Sequence, residues 1–254
     1  MKKIQCIPQF IRAGIFVFAL LSFAGCTQNA TSPTSGSSDV IMWTDIDNSG
    51  SHTTHTSSTT VSPGLSVDSI VVTSAAFVVS NFQVRSDSSD TDPQDNLFSQ
   101  QIRSEQFLLD FDTNGRQYIG EHITSAGAYH SARFDIHPIA GRADSLALAL
   151  GPEYLSLFGG TAVTIPGATV IIKGFVYHGE TREPFTYTTN ITGAGRVNFD
   201  HTLNVPADGT PIEVVVKFKT ANAFSIGGIL MDPRDPRNTA TIDANLKSAI
   251  HGSF

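Results

Sequence analysis

Apolar and polar residues alternate along much of this chain, as they do in strands that bury one face. The alternation is clear in residues 197–205 and 211–219. It also runs through 125–139, where one face of the predicted strand holds Ala128, His130, Ala132, Phe134 and Ile136. Residues 69–85 form a longer run rich in Val, Ile and Phe, which predicts one bent strand or two. Glycine and proline separate these segments, so the pattern predicts an all-β domain.

Short strands with Gly and Pro turns at regular spacing predict an antiparallel β-sandwich of the immunoglobulin or transthyretin type. The sequence shows no alternation of strands with helices and no repeat of fixed period. One short helix is expected at the end of the chain, over 240–251, where Ile242, Leu246 and Ile250 are spaced by four. We expect this helix to dock against the sandwich within a single domain spanning residues 39–254.

The start of the chain has the pattern of a bacterial lipoprotein signal. Three basic residues precede the uncharged run 13–25, which is too short for a membrane-spanning helix of about 20 residues. Ala24 and Gly25 stand directly before Cys26 and resemble a lipobox, with Phe23 where leucine is usual. That resemblance implies removal of residues 1–25 and lipidation of Cys26, whose three acyl chains would anchor the protein firmly. The alternative is a plain secretory signal followed by an unmodified cysteine.

Cleavage after residue 25 would leave a mature chain of 229 of the 254 residues, enough for one large β domain. Cys6 would be lost with the signal, so Cys26 would be the remaining cysteine, and an internal disulfide or a cysteine metal site is excluded. The three charges removed are all basic, which takes the formal net charge from −7 to −10. Such an acidic chain without basic clusters argues against a nucleic-acid partner.

Residues 26–38 are rich in Ser and Thr, with an Asn, a Pro and a Gly, and predict a flexible tether between the lipid and the domain. Thr27 follows the lipidated cysteine. By analogy with bacterial lipoprotein sorting, a residue other than Asp at that position implies the outer membrane. Because residues 28–38 contain no acidic cluster, we expect the periplasmic face of that membrane rather than the cell surface.

The stretch DFDTNGRQYIGE spells a calcium-loop pattern, matched at Asp110, Asp112, Asn114, Gly115 and Glu121. An EF-hand loop lies between two helices, whereas the segments on both sides of this loop alternate like strands. The Asn114-Gly115 pair between them predicts a β-hairpin with a type I′ turn. Such a hairpin would place Asp110 and Glu121 far apart on opposite strands, so we expect a turn here rather than a calcium site.

The stretch DPRDPRN (232–238) is a better candidate for calcium on geometry, because its Asp-Pro steps force extended or turned backbone. The side chains that could converge on an ion are Asp232, Asp235, Asn238 and Asp243. We favour the alternative, in which these side chains cap turns and the following helix, because the two arginines between them would compete for the carboxylates. A further acidic turn, DIDNSG (45–50), is interpreted as a loop.

Several stretches together resemble an uncharacterised group of exported bacterial lipoproteins. They are FLLDFDTNG, ITSAGAYHSARFDIHP and the tail GGILMDPRDPRNTATIDANLKSAI. The tail is the most specific part, with matching residues at Asp232, Pro233, Asp235, Pro236, Asn238, Ile242, Asp243, Asn245 and Lys247. The resemblance implies an exported β-sandwich domain of unknown function. It carries over no catalytic or ligand-binding residue.

Sequence motifs of common enzymes are absent, including G-x-S-x-G, H-E-x-x-H, the P-loop and G-x-G-x-x-G. We therefore expect a lipid-anchored, non-enzymatic binding or structural module of the cell envelope, without a cofactor and with an envelope protein or glycan as partner. Two alternatives stay open, a hydrolase that cleaves envelope glycans with paired carboxylates and a calcium-stabilised adhesion module. The aromatic residues that could stack on a glycan are Trp43, Tyr118, Tyr129, Tyr154, Tyr177 and Tyr187.

Overall fold

The computed structural model describes residues 36–52, 67–86, 99–138 and 168–254. The strands in these ranges are β1 (Ser37–Asp47), β2 (Ser69–Arg85), β3 (Ser99–Arg103), β4 (Phe107–Asp112), β5 (Gln117–Ser125), β6 (Gly127–Ile136), β7 (Val170–His178), β8 (Thr181–Thr189), β9 (Gly193–Val205), β10 (Ile212–Lys219), β11 (Ser225–Ile226), β12 (Ile229–Leu230) and β13 (Ile250–Ser253). The helices are α1 (Thr220–Phe224), a 3-10 helix (Pro236–Asn238) and α2 (Thr239–Leu246).

Eleven of these strands form one mixed sheet, in the order β5-β1-β10-β13-β9-β6-β2-β7-β8, with β3 and β4 also paired to β2. The β1–β10 and β13–β9 pairs are parallel. The sheet curls into a half-barrel. The predicted all-β class and the short C-terminal helix are confirmed, but the antiparallel sandwich is not. Alternation along the sequence identifies strands but does not specify which strands pair. In this structure the strands pair into one curled sheet instead of two facing sheets.

β2 is the longest strand and pairs with four others, β7 and β6 as well as β4 and β3. A bulge around Asn81, whose φ is 52°, shifts the alternation along the strand. Phe77 and Val79 before the bulge and Phe82 and Val84 after it are therefore all buried. Of the two alternatives for residues 69–85, one bent strand or two, the structure shows one bent strand.

A second bulge, between Tyr129 and Ser131, changes which side chains of β6 face the core. Tyr129 is buried, whereas Ala128 and His130, which the alternation placed on the apolar face, are exposed. The predicted alternation holds only beyond the bulge, where Ala132, Phe134 and Ile136 are buried. One extra residue in a strand is enough to exchange its two faces.

The C-terminal helix is shorter than the predicted range 240–251. α2 ends at Leu246, and Ile250 lies in β13, where it is fully buried opposite Phe218 and Val197. The last strand thus fills the slot between β9 and β10. The four-residue spacing of apolar side chains correctly predicted that Ile242 and Leu246 are buried on one helix. Including Ile250 in the same pattern made the predicted helix one turn too long.

At the other end, β1 begins at Ser37, so the last two residues of the predicted tether 26–38 belong to the sheet. Ser38 is buried, and its Oγ donates to the carbonyl of Pro206 at 2.8 Å. The predicted signal peptide 1–25, and with it Cys26, lies outside the described residues.

Six phenylalanine side chains are fully buried in the main core: Phe77, Phe82, Phe111, Phe134, Phe218 and Phe224. Burying one such side chain contributes roughly 1.5–3 kcal/mol. Phe224 of α1 and Leu246 of α2 belong to the same buried cluster as the strands, so the helices pack on the apolar face of the curled sheet. None of the helices among the described residues is long and apolar enough to cross a bilayer.

The predicted hairpin over 105–123 does not form. β4 pairs with β2 and β5 pairs with β1, so the two strands on either side of Asn114-Gly115 are not ladder partners. A type I′ turn needs positive φ at both central residues, and Asn81 is the only non-glycine residue with positive φ in the described ranges. The Oδ1 of Asp112 instead accepts the backbone N–H of Asn114 at 2.7 Å and shapes the turn.

Candidate functional site

The curl of the sheet brings β3 and β5 next to each other without a hydrogen-bonded ladder between them. We call this gap the seam. An open groove of about 550 Å³ follows it, lined by residues 101–105 on one side and 118–122 on the other. This volume lies within the roughly 300–1,000 Å³ of small-molecule sites. The groove is therefore large enough to hold a small molecule.

Arg103 reaches across the seam. Its Nε donates to Oε1 of Glu105 at 2.6 Å, and its Nη1 donates to the carbonyl of Ile119 on β5 at 3.4 Å. Its guanidinium also lies 4.4 Å from the ring centroid of Phe107. A hydrogen bond from its own backbone N–H lowers the pKa of the Glu105 carboxyl most, and Arg103 lowers it further. Glu105 is therefore a stable carboxylate at neutral pH.

Tyr118 is the most exposed aromatic residue of the groove, with 54% of its surface accessible. Its ring lies 5.4 Å from that of Trp43 at an interplanar angle of 66°, an edge-to-face pair. Among the other predicted stacking residues, Tyr129 and Tyr187 are buried, Tyr177 is half-buried on β7, and Tyr154 lies outside the described residues. The structure therefore brings two of the six together.

The residues of the calcium-loop pattern are distributed along two strands that do not pair with each other, β4 and β5, and their connection. Asp110 lies in β4 opposite Ala76, and Glu121 lies in β5 opposite Ile41. The Oδ1 of Asp112 accepts both the backbone and the side-chain nitrogen of Asn114. Glu121 lines the seam groove instead. In the ranges that the structure describes, no three or more His, Cys, Asp or Glu side chains are grouped to hold a metal ion.

The acidic residues of the tail each have a protein partner. Asp232 accepts the backbone N–H and the guanidinium of Arg234, and Asp235 accepts the same groups of Arg237. Burial raises the pKa of the Asp232 carboxyl, but its hydrogen bonds with Arg234 outweigh that effect and the pKa is lowered. Both carboxylates therefore shape turns, as in the alternative that we favoured from the sequence.

The other two predicted metal ligands are also engaged. The amide of Asn238 donates to the carbonyl of Asp232 at 2.9 Å. Asp243 accepts the hydroxyl of Tyr187 at 2.6 Å, and burial together with this carboxylate raises the pKa of Tyr187. Arg234 additionally bonds Glu183 on β8, which ties the tail to the β7–β8 hairpin.

A serine and a histidine lie within hydrogen-bond distance beside the β2 bulge. Ser80 Oγ is 2.6 Å from Nε2 of His137, and Nδ1 of His137 is 3.1 Å from the carbonyl of Pro138. A nucleophilic serine needs access to substrate, but Ser80 is only 6% exposed. Asp135, the nearby carboxylate on β6, accepts the amide of Asn81. We interpret the pair as a bond that fastens the bulge to the end of β6.

A second polar cluster joins β9, β10, β13 and α1. Asp200 Oδ1 lies 3.3 Å from Nζ of Lys219 and 3.6 Å from Nδ1 of His251, and Asn222 Nδ2 lies 2.8 Å from Nε2 of His251. Burial lowers the pKa of His251 most, and the nearby Lys219 lowers it further, although Asp200 opposes them. This histidine is therefore neutral at pH 7 and its ring nitrogens are engaged by neighbours.

Comparison of the chain with protein-family models, with curated proteins and with solved structures finds no match. The site must therefore be interpreted from its own geometry. The sequence marks Tyr118 as an aromatic candidate and Glu121 as part of the calcium pattern, but no local pattern indicates Arg103 or Glu105. Their place at the seam depends on two strands that are distant in the sheet order, which local patterns do not report.

Proposed function

We propose that this protein is a lipid-anchored, non-enzymatic binding module of the bacterial cell envelope. The lipid on Cys26 would hold it at the outer membrane, with the folded domain on the periplasmic side. The seam groove is its ligand site. The observation that carries the binding role is the groove itself, where the sheet stays open and presents exposed Tyr118 beside polar side chains.

The anchor is supported by the basic start, the short apolar run and the small residues before Cys26. The test is Cys26→Ser, with Cys6→Ser as the matched control because Cys6 lies within the signal. Cells labelled with a palmitate analogue should incorporate label into the parent chain and into Cys6→Ser, and both should sediment with membranes. Cys26→Ser should lose the label and leave the membrane fraction. Membrane retention of unlabelled Cys26→Ser would refute the anchor.

The ligand site can be tested by filling the groove at Gly120. A Cβ built there meets nothing closer than Ile102 Cγ2 across the seam, at 3.9 Å, so Gly120→Ala should fit. The larger Gly120→Phe should occupy the groove. Full-length chain in a detergent without sugar groups should co-sediment with cell-wall sacculi, and Gly120→Phe should lose this while Gly120→Ala keeps it. Equal co-sedimentation of both variants would move the site elsewhere.

A glycan hydrolase is the second candidate, because Glu105 and Glu121 both line the groove. Hydrolysis needs one carboxyl of raised pKa as the general acid. The pKa of Glu105 is lowered and its side chain is 61% exposed, so it is unsuited to that role. Release of soluble fragments from sacculi, abolished by Glu121→Gln, would establish the hydrolase and refute the non-enzymatic assignment.

We also expect no labelling of Ser80 by a fluorophosphonate.

A further inference from the structure

We propose that the seam groove binds a neutral glycan chain, with Tyr118 as the stacking surface for a sugar ring. This inference rests on the groove being the ligand site, as proposed above, and adds the chemical class of the ligand. Three features of the groove favour it: a held aromatic ring, a mixed set of hydrogen-bonding groups and a charge that disfavours anions.

The aromatic ring is exposed and held at the same time. Tyr118 is 54% exposed, yet its ring packs against Trp43, and Trp43 pairs across the sheet with buried Val215. Tyrosine and tryptophan lose little conformational entropy on binding, because each has only two side-chain torsions. The face of such a ring carries negative partial charge, which attracts the polarised C–H groups of a sugar ring.

The polar side chains of the groove suit hydroxyl groups, which both donate and accept. Seven of the ten lining residues carry hydrogen-bonding side chains, including the amide of Gln101, the hydroxyl of Ser104 and the imidazole of His122. Ile119, by contrast, is only 6% exposed. The other isoleucine of the lining, Ile102, is half-buried, so the groove offers little apolar surface to an acyl chain or an apolar peptide side chain.

The charge of the groove disfavours an anionic ligand. It holds one arginine and two glutamates, and Arg103 is already paired with Glu105. Glu121 forms no ion pair with the residues that the structure describes, so these three charged side chains leave the lining with a net negative charge. Glu213 on β10 adds a further negative charge nearby. Ile41 of β1 is the register partner of Glu121 on one side and of Glu213 on the other, so only β1 separates the two glutamates. A polymer with an anionic group on every unit, such as polyphosphate, would meet repulsion here, so a run of neutral sugar rings fits best.

Trp43 provides the assay, because it is the single tryptophan of the chain. Its fluorescence therefore reports on the surroundings of the Trp43 ring, which include Tyr118. Full-length protein in a detergent without sugar groups is titrated with neutral tetrasaccharides (chitotetraose, cellotetraose and maltotetraose), and with polyphosphate and a mixed peptide pool for comparison. We expect a saturable change with at least one tetrasaccharide. Tyr118→Ala should weaken it at least tenfold, while Tyr118→Phe and the distant control Tyr177→Ala should keep it within about twofold.

The outcomes separate the two proposals. Saturable binding of polyphosphate or peptide, with none of a neutral glycan, overturns the glycan class while the groove stays the ligand site. Glycan binding that Tyr118→Ala and Gly120→Phe leave unchanged overturns the placement in the groove. No saturable change with any probe overturns the glycan inference. If Gly120→Phe also co-sediments with sacculi as the parent does, the groove is not the ligand site either.

Discussion

Asn48 shows how much one side chain outside the predicted strands contributes to this fold. Its Oδ1 accepts the backbone N–H of Val72 at 2.9 Å and the hydroxyl of Thr220 at 2.7 Å, and its Nδ2 donates to the carbonyl of Val72 at 3.0 Å. The amide thus satisfies both backbone groups of Val72, as a neighbouring strand would. Val72 and Thr220 are fully buried, so Asn48→Ala would leave three buried polar groups without their partner.

The size of the effect follows from these three bonds. A typical intramolecular hydrogen bond contributes about 0.5–1.5 kcal/mol net, and leaving its partner buried and unpaired costs more. Losing three should therefore lower the free energy of unfolding by about 3 kcal/mol. For a domain of this size, each kcal/mol changes the melting temperature by roughly 2–4 °C, which gives a decrease of about 6–12 °C.

The matched control is Asn204→Ala, because Asn204 is exposed and makes one 3.3 Å bond to the carbonyl of Thr202. Thermal unfolding followed by circular dichroism should show a change of less than about 2 °C for this control, as is usual for surface substitutions. If Asn48→Ala melts within 2 °C of the control, the amide does not hold β1, β2 and α1 together and the described packing at this point is wrong.

Burial lowers the pKa of His251, so below pH 6.5 the unfolded chain binds a proton more readily than the folded chain does. The contribution of neutral His251 to the free energy of unfolding is therefore fully present above the ordinary pKa of 6.5 and falls as the pH drops below it. Urea midpoints between pH 7.5 and 5 should fall more in the parent than in His251→Gln, and equal slopes would contradict this. Calcium in millimolar excess should change the melting temperature by less than about 1 °C relative to EDTA, because arginines occupy the carboxylates of Asp232 and Asp235; a shift of several degrees that Asp232→Ala removes would place a calcium site in the tail. Gly174→Ala should destabilise by about 3 kcal/mol, since its Cβ would lie 2.2 Å from the carbonyl oxygen of Val71, and unchanged unfolding would contradict that packing.

Local patterns predicted most of the strands but not their arrangement. The alternation over 211–219 corresponds closely to β10, Ile212–Lys219. Alternation failed in β6 at the bulge after Tyr129. Helical spacing failed at Ile250, which lies in a strand between β9 and β10 instead of in the helix. Extra residues in a strand and partners far along the chain are properties of the assembled sheet. A short sequence window does not contain them.

The candidate site was predictable only in parts. Tyr118 was named from the sequence only as one of six aromatic residues that could stack on a glycan, and its exposure was not predicted. The meeting of β3 with β5 depends on the curl of a sheet in which β5 lies at one end and β3 pairs with β2. The Asn114-Gly115 dipeptide suggested a hairpin, and that expectation placed β4, rather than β3, beside β5. Tyr118 and Glu121 were therefore predicted beside the wrong strand.

The most direct test of the seam as ligand site is hydrogen exchange followed by mass spectrometry. The full-length protein is compared with and without soluble fragments of cell-wall sacculi at saturating concentration. The expected result is slower exchange confined to peptides covering residues 101–105 and 118–122, with no change in residues 232–238. Protection confined to the tail, or protection nowhere in the chain, would contradict the central claim that the groove between β3 and β5 binds an envelope ligand.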